Sequence, residues 1–228
     1  MWGARSLGRS SVKIQRLVAA ALPIDDLLEC VARTVFEGGT VIFPTDTVYG
    51  IGADPVRPDA VARIYRAKHR PPDKPLSLHL ASVVEALEYV EDPAVVPMVR
   101  RLLPGPLTVI VRRPAYVGEF VSAGLPSIGL RVPGDPLCCA ILERCGPLAG
   151  TSANISSAPA YTGAGNFDAL PEADVFVDAG PTIHRGESTI IDLSGIQPKL
   201  VREGVVSVSE IEARIGPVGR PFSKTTTE

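Results

Sequence analysis

Short runs of β-branched and apolar residues alternate along this chain with longer runs in which apolar residues recur every three or four positions. The first pattern is typical of strands and the second of amphipathic helices. Their interleaving predicts an α/β fold rather than an all-β fold. Because the connections between the runs vary in length, we expect one twisted mixed sheet with helices on its faces rather than a purely parallel sheet.

The predicted helices begin and end at characteristic residues. Acidic residues stand at the start of the run at 24–37, and a Gly-Gly pair at 38–39 ends it. Pro58 suits the first turn of the next helix, and Ser207 with Glu210 forms a capping box for the last one. We predict helices at 24–37, 58–68, 83–89, 94–103, 136–144 and 207–216, and strands at 40–43, 76–80, 107–111, 128–132, 148–150, 175–178, 188–193 and 199–202.

A single domain is the economical organisation for 228 residues that contain neither an internal repeat nor a low-complexity linker. We place this domain at 18–216. Residues 1–17 carry basic but no acidic side chains, which predicts a disordered basic tail, with a transit peptide as the alternative. Residues 217–228 also have the composition of a disordered tail.

The composition excludes several classes of protein. A net charge of −2 argues against a general polyanion binder, and no stretch is apolar and long enough to cross a membrane. The four cysteines form no Cys-x-x-Cys pair, so we expect neither a zinc site nor an oxidising compartment. We therefore expect a cytoplasmic protein without a metal held by its own side chains.

The segment 44–50, Pro-Thr-Asp-Thr-Val-Tyr-Gly, follows directly on the predicted strand at 40–43. Proline ends that strand, and ligands of open α/β sheets collect beyond the carboxyl ends of strands. Thr45, Asp46 and Thr47 offer short polar side chains at this point. The pattern alone fits a binding turn and an ordinary capped turn equally well.

Two common nucleotide motifs do not occur. Gly50-Ile51-Gly52 begins like a dinucleotide fingerprint, but Pro55 occupies the position of its third glycine. The chain has no Gly-x-x-x-x-Gly-Lys-Ser/Thr loop either. If phosphates bind, side chains must hold them.

Lys68, Arg70 and Lys74 provide such side chains at the end of a predicted helix and in the proline-rich loop that follows. A solvated helix end is the usual explanation for such a run, because cations also complement the helix dipole. Here the prolines stiffen the loop, which suits a fixed anion clamp. Arginine offers planar paired contacts to phosphate and lysine a point charge.

Other candidates lie on predicted strands and at their ends. Arg131 stands in an otherwise apolar strand and needs a partner, either a structural carboxylate or an anionic ligand, and Arg202 repeats this pattern. His79 fits a general base, a substrate donor or a core histidine. The set Thr151-Ser152-Ala153-Asn154 fits a phosphate or ribose cradle or an Asx turn. Without a nucleophile elbow or an ordered Ser-His-Asp set, covalent catalysis is not indicated.

Taken in order, six motifs resemble those of the YrdC-like L-threonylcarbamoyladenylate synthases, over about 24–215. The motifs are Pro-Thr-Asp-Thr-Val-Tyr-Gly at 44–50; Lys68-x-Arg70 with Lys74-Pro75-Leu76 and His79; Gly129-x-Arg131-x-Pro133; Thr151-Ser152-Ala153-Asn154; Ser188-Thr189-Ile190-Ile191-Asp192; and Arg202-x-Gly204. Each motif is weak alone, and the ordered set is specific.

The resemblance implies a YrdC-like fold with a basic concave groove. It implies that L-threonine, bicarbonate and ATP, with Mg²⁺, form threonylcarbamoyl-AMP and pyrophosphate, and that transferase proteins then pass the threonylcarbamoyl group to tRNA, with weak tRNA contact a further expectation. By resemblance, threonine contacts Thr47, His79, Arg131, Thr151 and Ser188. The nucleotide contacts Lys68, Arg70, Lys74, Ser127, Ser152, Ala153, Asn154, Tyr161 and Arg202, with Lys68 and Arg70 as the charge clamp.

The chain departs from the family pattern after Asn154. A Ser-Gly-x-Pro turn is expected, but the chain has Ser156-Ser157-Ala158-Pro159, which leaves the loop path near Tyr161 open. We also expect the short form of the family, without the additional C-terminal domain of longer members. Two alternative functions remain: a carbamoyl-adenylate-forming enzyme, and a non-catalytic RNA-binding module that uses the same groove.

Overall fold

Within residues 14–165 and 167–220, which the computed structural model describes, ten strands form one mixed sheet. Its order is β1-β8-β2-β3-β7-β4-β6-β5-β9-β10, where the strands are β1 (Gln15–Val18), β2 (Val41–Phe43), β3 (Gly50–Ala53), β4 (Ser77–His79), β5 (Leu107–Arg112), β6 (Ser127–Arg131), β7 (Leu148–Ser152), β8 (Val175–Asp178), β9 (Thr189–Asp192) and β10 (Lys199–Arg202). Parallel and antiparallel pairs both occur, which confirms the predicted mixed α/β class.

Helices cover both faces of the sheet. They are α1 (Ile24–Phe36), α2 (Pro58–Lys68), α3 (Val83–Glu88), α4 (Val96–Leu102), α5 (Glu119–Ser122), α6 (Pro136–Cys145) and α7 (Val208–Ile215), with short 3-10 turns at Ala19–Ala21 and Phe167–Ala169. The predicted capping box begins α7, where Ser207 and Glu210 bond reciprocally.

Two buried clusters lie on opposite faces, because successive side chains of a strand point to opposite sides. Val41 and Phe43 of β2 pack in the cluster under α1 and α6, whereas Ile42 between them packs in the larger cluster. The larger cluster includes side chains of α2, α4, α5 and α7. The main packing partners of the α1–α6 pair include β2 but none of β4, β5, β6 and β9. The part of this face that those four strands form is therefore free for a site.

The predicted elements are confirmed with end shifts of one or two residues, and besides the two 3-10 turns three elements are additional. The strand β3 and the short helix α5 had no predicted counterpart. β1 includes residues 15–17 of the predicted basic tail and pairs in parallel with β8. At the other end, Leu200 donates a backbone hydrogen bond to Gly219, so part of the predicted C-terminal tail also packs on the sheet. The rest of both predicted tails lies outside the described residues.

Candidate functional site

A cavity of about 440 Å³ opens on the part of the sheet face that α1 and α6 leave free. Side chains and backbone of β3, β4, β5, β6, β7, β9 and β10 line it, together with the loops before β3, β4 and β9. Four cationic side chains and one carboxylate are among the lining residues: Arg70, Lys74, Arg131, Arg202 and Glu187.

Glycines on adjacent strands make room for this cavity. Ser77 of β4 pairs with Gly150 of β7 on one side and with Gly129 of β6 on the other, so all three share one face. A Cβ on Gly129 would lie 2.5 Å from Ser77 Oγ, and one on Gly150 would lie 3.1 Å from His79 Nδ1. Any side chain at either glycine would therefore fill the floor of the cavity.

Arg131 ends β6 inside the cavity and is only 5% exposed. Its Nη2 donates to Asp46 Oδ1 at 2.6 Å, to Thr45 Oγ1 at 3.2 Å and to the Thr47 hydroxyl. Its Nε is buried without a hydrogen-bond partner among the described residues. The partner that this buried cation required is thus a carboxylate, and Nε and Nη1 make no hydrogen bond with the described residues.

His79 stands beside Arg131, because the two residues pair in the parallel ladder of β4 and β6. It is 4% exposed and lies edge-on to Phe43, with ring centroids 5.6 Å apart. Burial, assisted by the positive charge of Arg131, lowers the pKa of His79 to about 3. The imidazole is therefore neutral at pH 7, and its buried Nδ1 has no partner among the described residues.

Lys68 ends α2, but its side chain is 1% exposed and does not line the cavity. Its ammonium donates to the backbone carbonyls of Ser152 and Asn154. Burial and the nearby charge of Arg70 lower the pKa of Lys68 to about 8. The ammonium thus fixes the turn that follows β7 rather than standing free in the cavity.

The same turn is braced by its own side chains. Ser152 Oγ donates to Asn154 Oδ1 at 2.6 Å, and Asn154 Nδ2 donates to the carbonyls of Ile155 at 2.9 Å and Ala158 at 2.7 Å. Ser157, at the position where the family pattern has glycine, adopts a left-handed φ of 71°. The turn keeps a backbone conformation that suits glycine, although a serine occupies it.

Arg70 and Lys74 both line the cavity from the loop between α2 and β4. Arg70 Nη2 donates to the Pro75 carbonyl at 2.7 Å, and its Nε donates to the Lys74 carbonyl at 3.2 Å. The Tyr65 hydroxyl also donates to the Lys74 carbonyl, at 2.9 Å. Arg70 therefore holds its loop in shape and presents positive charge to the cavity at the same time.

Another part of the cavity wall is built around Ser188, which is 4% exposed. Its hydroxyl lies 3.0 Å from Thr108 Oγ1, and its carbonyl accepts from Arg202 Nη2 at 2.9 Å. Arg202 Nη1 also pairs with Glu187 Oε2 at 2.9 Å. These contacts add two hydroxyls and an ion pair to the cavity wall.

The structure gathers most of the residues assigned by resemblance. Nine line the cavity: Arg70, Lys74, His79, Ser127, Arg131, Thr151, Ser152, Ser188 and Arg202. Five do not: Thr47, Lys68, Ala153, Asn154 and Tyr161. Tyr161 packs instead against Tyr49, with ring centroids 5.1 Å apart, and its carbonyl accepts from the Tyr49 backbone at 2.8 Å.

Three residues near the site were not assigned from the sequence. Asp46 lies in the singled-out segment 44–50, and only the contact with Arg131 reveals its role. Thr108 faces the cavity from β5, which strand alternation could have indicated. Glu187 precedes an assigned serine but becomes part of the wall only through its pair with Arg202.

The described residues contain no group of three or more His, Cys, Asp and Glu side chains that could hold a metal ion. Nor do they include a helix with the length and apolar character needed to cross a membrane. The buried Cys138 has a pKa raised well above its ordinary value by burial, so it does not offer a thiolate.

Comparison with known proteins gives one family. The Sua5/YciO/YrdC family model, described as "Telomere recombination", matches residues 33–204. The threonylcarbamoyl-AMP synthase of Bacillus subtilis is 39% identical over 82% of this chain and 56% of its own length. A putative threonylcarbamoyl-AMP synthase of Mycobacterium tuberculosis is 36% identical over 78% of this chain and 84% of its own.

A solved structure agrees with these relatives. The crystal structure of Pyrococcus abyssi Sua5 complexed with L-threonine superposes with a TM-score of 0.81 and 33% identity, covering 92% of this chain and 62% of that one. The chain thus spans little more than half the length of the Bacillus relative and under two thirds of the Pyrococcus protein.

Proposed function

Because the chain belongs to the Sua5/YciO/YrdC family, we propose that it is an L-threonylcarbamoyladenylate synthase, which joins L-threonine, bicarbonate and ATP into threonylcarbamoyl-AMP and pyrophosphate. The observation that carries this proposal is the cavity itself. A buried arginine beside a neutral histidine forms one end of it, and the loop cations Arg70 and Lys74 also line it. The curated relatives bear the name of this activity, and the Pyrococcus relative binds L-threonine.

Threonine is assigned to the end of the cavity near Arg131. Its carboxylate matches the guanidinium N–H groups that have no partner among the described residues, because hydrogen bonds between arginine and a carboxylate are assisted by charge. Neutral His79 adds a polar contact without adding charge. Thr151 and Ser188 line the same cavity and offer hydroxyls, whereas Thr47 contributes through the bond that it accepts from Arg131.

The nucleotide is assigned to the remaining lining. Arg70 and Lys74 face its phosphates, with Ser127 of β6 and Arg202 of β10 in the same lining. Lys68 acts by holding the turn rather than by touching phosphate, since its ammonium is bonded to two carbonyls. Ser152 completes the lining on this side, Ala153 and Asn154 follow it in the same turn, and Tyr161 packs against Tyr49.

The reaction needs positioning and charge neutralisation rather than a protein nucleophile. The threonine amine adds to bicarbonate with loss of water, and the resulting carbamate oxygen attacks the α-phosphorus of ATP. The bond to the β-phosphate oxygen breaks, and pyrophosphate leaves. Fixed cations that face the phosphates stabilise the charge that develops, and the oriented carbamate lowers the entropic barrier.

Magnesium fits this scheme as a partner of the ATP phosphates. The described residues provide no ligand cluster for it, and the Glu187 carboxylate of the cavity wall is paired with Arg202. Mg²⁺ prefers octahedral oxygen ligands and often binds through substrate phosphates with several waters. When bound, it would neutralise phosphate charge beside Arg70 and Lys74.

The product is a mixed anhydride that must be consumed by transfer. We propose that separate transferase proteins pass the threonylcarbamoyl group to a tRNA adenosine, in the cytoplasm, and that this chain contacts tRNA only weakly. The net charge of −2 favours a small-molecule site over a general RNA surface.

A direct assay tests the proposal. The protein is incubated with ATP, Mg²⁺ and bicarbonate, with or without L-threonine, and pyrophosphate and threonylcarbamoyl-AMP are measured. We expect both products only when threonine is present. Pyrophosphate release that is independent of threonine, or that needs carbamoyl phosphate instead, would overturn the assignment. Arg131→Lys serves as the matched control, because it keeps the charge and removes the paired contact.

A further inference from the structure

We infer that Asp46 is the positioning residue of Arg131: its carboxylate holds Nη2 of the guanidinium so that the remaining N–H groups are presented to the incoming threonine carboxylate. This inference deepens the proposed function and rests on it. Neither the motif resemblance nor the comparisons assign a role to Asp46.

The contact is close and buried on both sides. Arg131 Nη2 lies 2.6 Å from Asp46 Oδ1, and the two side chains are 7% and 2% exposed. The hydroxyls of Thr45 and Thr47 accept from the same nitrogen. All hydrogen bonds that the described residues make with this guanidinium therefore converge on Nη2, and Nε is left without a partner. A guanidinium held by one nitrogen in this way cannot turn without breaking three contacts.

Asp46 is itself fixed by its backbone. Its carbonyl accepts from His184 N at 2.9 Å, and the neighbouring Thr47 carbonyl accepts from Thr182 Oγ1 at 2.7 Å. The loop before β9 thus fastens the segment that carries the carboxylate. The rigidity of the support is what a positioning residue requires, because a loosely held acid would let the arginine drift.

Stability does not explain this arrangement. The second carboxylate oxygen, Oδ2, is buried and has no hydrogen-bond partner among the described residues. Buried ion pairs are often no more stable than apolar residues of the same volume, and an unpaired buried oxygen adds a desolvation cost. A buried pair is weak evidence of stabilisation, and this one includes a cavity-lining arginine, so its effect on the arginine is the better explanation.

The arrangement also balances charge. Without Asp46, the cavity would hold an uncompensated buried cation next to the neutral His79. With Asp46 in place, the charge of the guanidinium is compensated at Nη2, while Nε and Nη1 keep N–H groups that no described residue accepts. Threonine then binds to oriented donors rather than to a mobile charge.

Asp46→Asn tests the inference, because asparagine keeps the shape and one acceptor oxygen but removes the charge. We expect the KM for threonine to rise by about 10- to 100-fold, the cost typical of a misplaced binding group, while the KM for ATP stays within about twofold. A merely structural role would change both constants or neither, and either result would overturn the inference. If Asp46→Asn does not fold, Asp46→Glu moves the charge by one methylene and should give the same selective rise.

A double-mutant cycle shows whether Asp46 acts through Arg131. Once Arg131→Lys has removed the planar fork, adding Asp46→Asn should change the KM for threonine by less than about twofold, because coupled residues are not additive. Independent losses that multiply would contradict the inference. Asp174→Asn is the matched control: Asp174 pairs with Arg63 at 2.7 Å, away from the cavity lining, and its loss should leave the KM for threonine unchanged.

A readout without substrates separates failure of this inference from failure of the proposed function. In ¹⁵N NMR spectra of arginine side chains, the Arg131 signal is identified by its loss in Arg131→Lys. We expect resolved Nη1 and Nη2 signals in the wild type, because rotation of the held guanidinium is slow, and their coalescence in Asp46→Asn. Coalesced signals in the wild type would overturn the inference even if the protein makes threonylcarbamoyl-AMP. Resolved signals with no threonine-dependent product would instead overturn the function alone.

Discussion

His79 and Arg131 occupy paired positions on the adjacent parallel strands β4 and β6, and each buries a nitrogen that has no partner among the described residues. Two such atoms on paired residues that line one cavity indicate where a polar ligand docks, because buried polar groups are almost always hydrogen-bonded. Burial, assisted by the neighbouring guanidinium, keeps the histidine neutral, since both disfavour a positive charge on the imidazole.

The first prediction concerns stability in acid. The pKa of His79 is lowered to about 3 in the folded state, against an ordinary value of 6.5. Between these values the unfolded chain binds a proton that the folded protein does not, so stability falls as the pH falls below about 6.5. From pH 7 to pH 5 this histidine should cost the wild type about 2 kcal/mol of unfolding free energy.

Urea unfolding at both pH values measures this effect. His79→Gln has a similar size and does not titrate, so it should lose about 2 kcal/mol less than the wild type between the two pH values. Equal losses would show that His79 is protonated in the folded protein.

The second prediction concerns Lys68. In Lys68→Met, the carbonyls of Ser152 and Asn154 lose a buried donor, which should lower the unfolding free energy by about 1 to 3 kcal/mol. The turn should also loosen, so the KM for ATP should rise. Lys199→Met, at an exposed lysine of β10, is the control and should change stability by less than about 0.5 kcal/mol. A loss of turnover with unchanged stability would indicate instead that Lys68 contacts a phosphate directly.

The sequence predicted the sheet and helices better than it predicted the side-chain contacts within the site. The strand β3 was missed because Gly50 and Gly52 have low strand propensity. Glycine fits at both positions because the Phe43 ring lies 3.0 Å and 2.9 Å from where their Cβ atoms would be. Lysine at a helix end is usually solvated, and only the position of the turn after β7 shows that Lys68 is buried. These facts depend on contacts between distant segments, which spacing along the chain does not encode.

The third prediction separates two arginines of one segment. Arg70 lines the cavity, whereas Arg66, one helical turn earlier, is exposed and does not. Arg70→Ala removes a charged donor and the brace of its loop, so the KM for ATP should rise by about tenfold or more. Arg66→Ala should leave it unchanged. Equal effects on both, lost together at high salt, would indicate long-range attraction rather than a bound contact.

The fourth prediction uses the departure from the family pattern. Ser157 has a φ of 71°, a conformation that costs a residue with a Cβ about 1 to 2 kcal/mol. Ser157→Gly removes this strain but makes the unfolded chain more flexible, so a net gain of about 0.5 to 1 kcal/mol is expected. Thermal unfolding measures it. Ser156→Gly, where φ is not positive, should destabilise instead; a gain in both variants would point to a general effect of loop flexibility.

The last prediction concerns the floor of the cavity, where Ser77 and Gly129 face each other across β4 and β6. A Cβ on Gly129 would lie 2.5 Å from Ser77 Oγ and 3.2 Å from Thr108 Cγ2. Gly129→Ala should therefore reduce both stability and threonine-dependent pyrophosphate release. Adding Ser77→Gly removes the closest of these contacts, because the pair across β4 and β6 then again carries only one side chain. Activity should therefore return in part. If the double variant is as inactive as Gly129→Ala alone, the loss comes from the volume that the new methyl group takes from the substrate and not from its clash with Ser77.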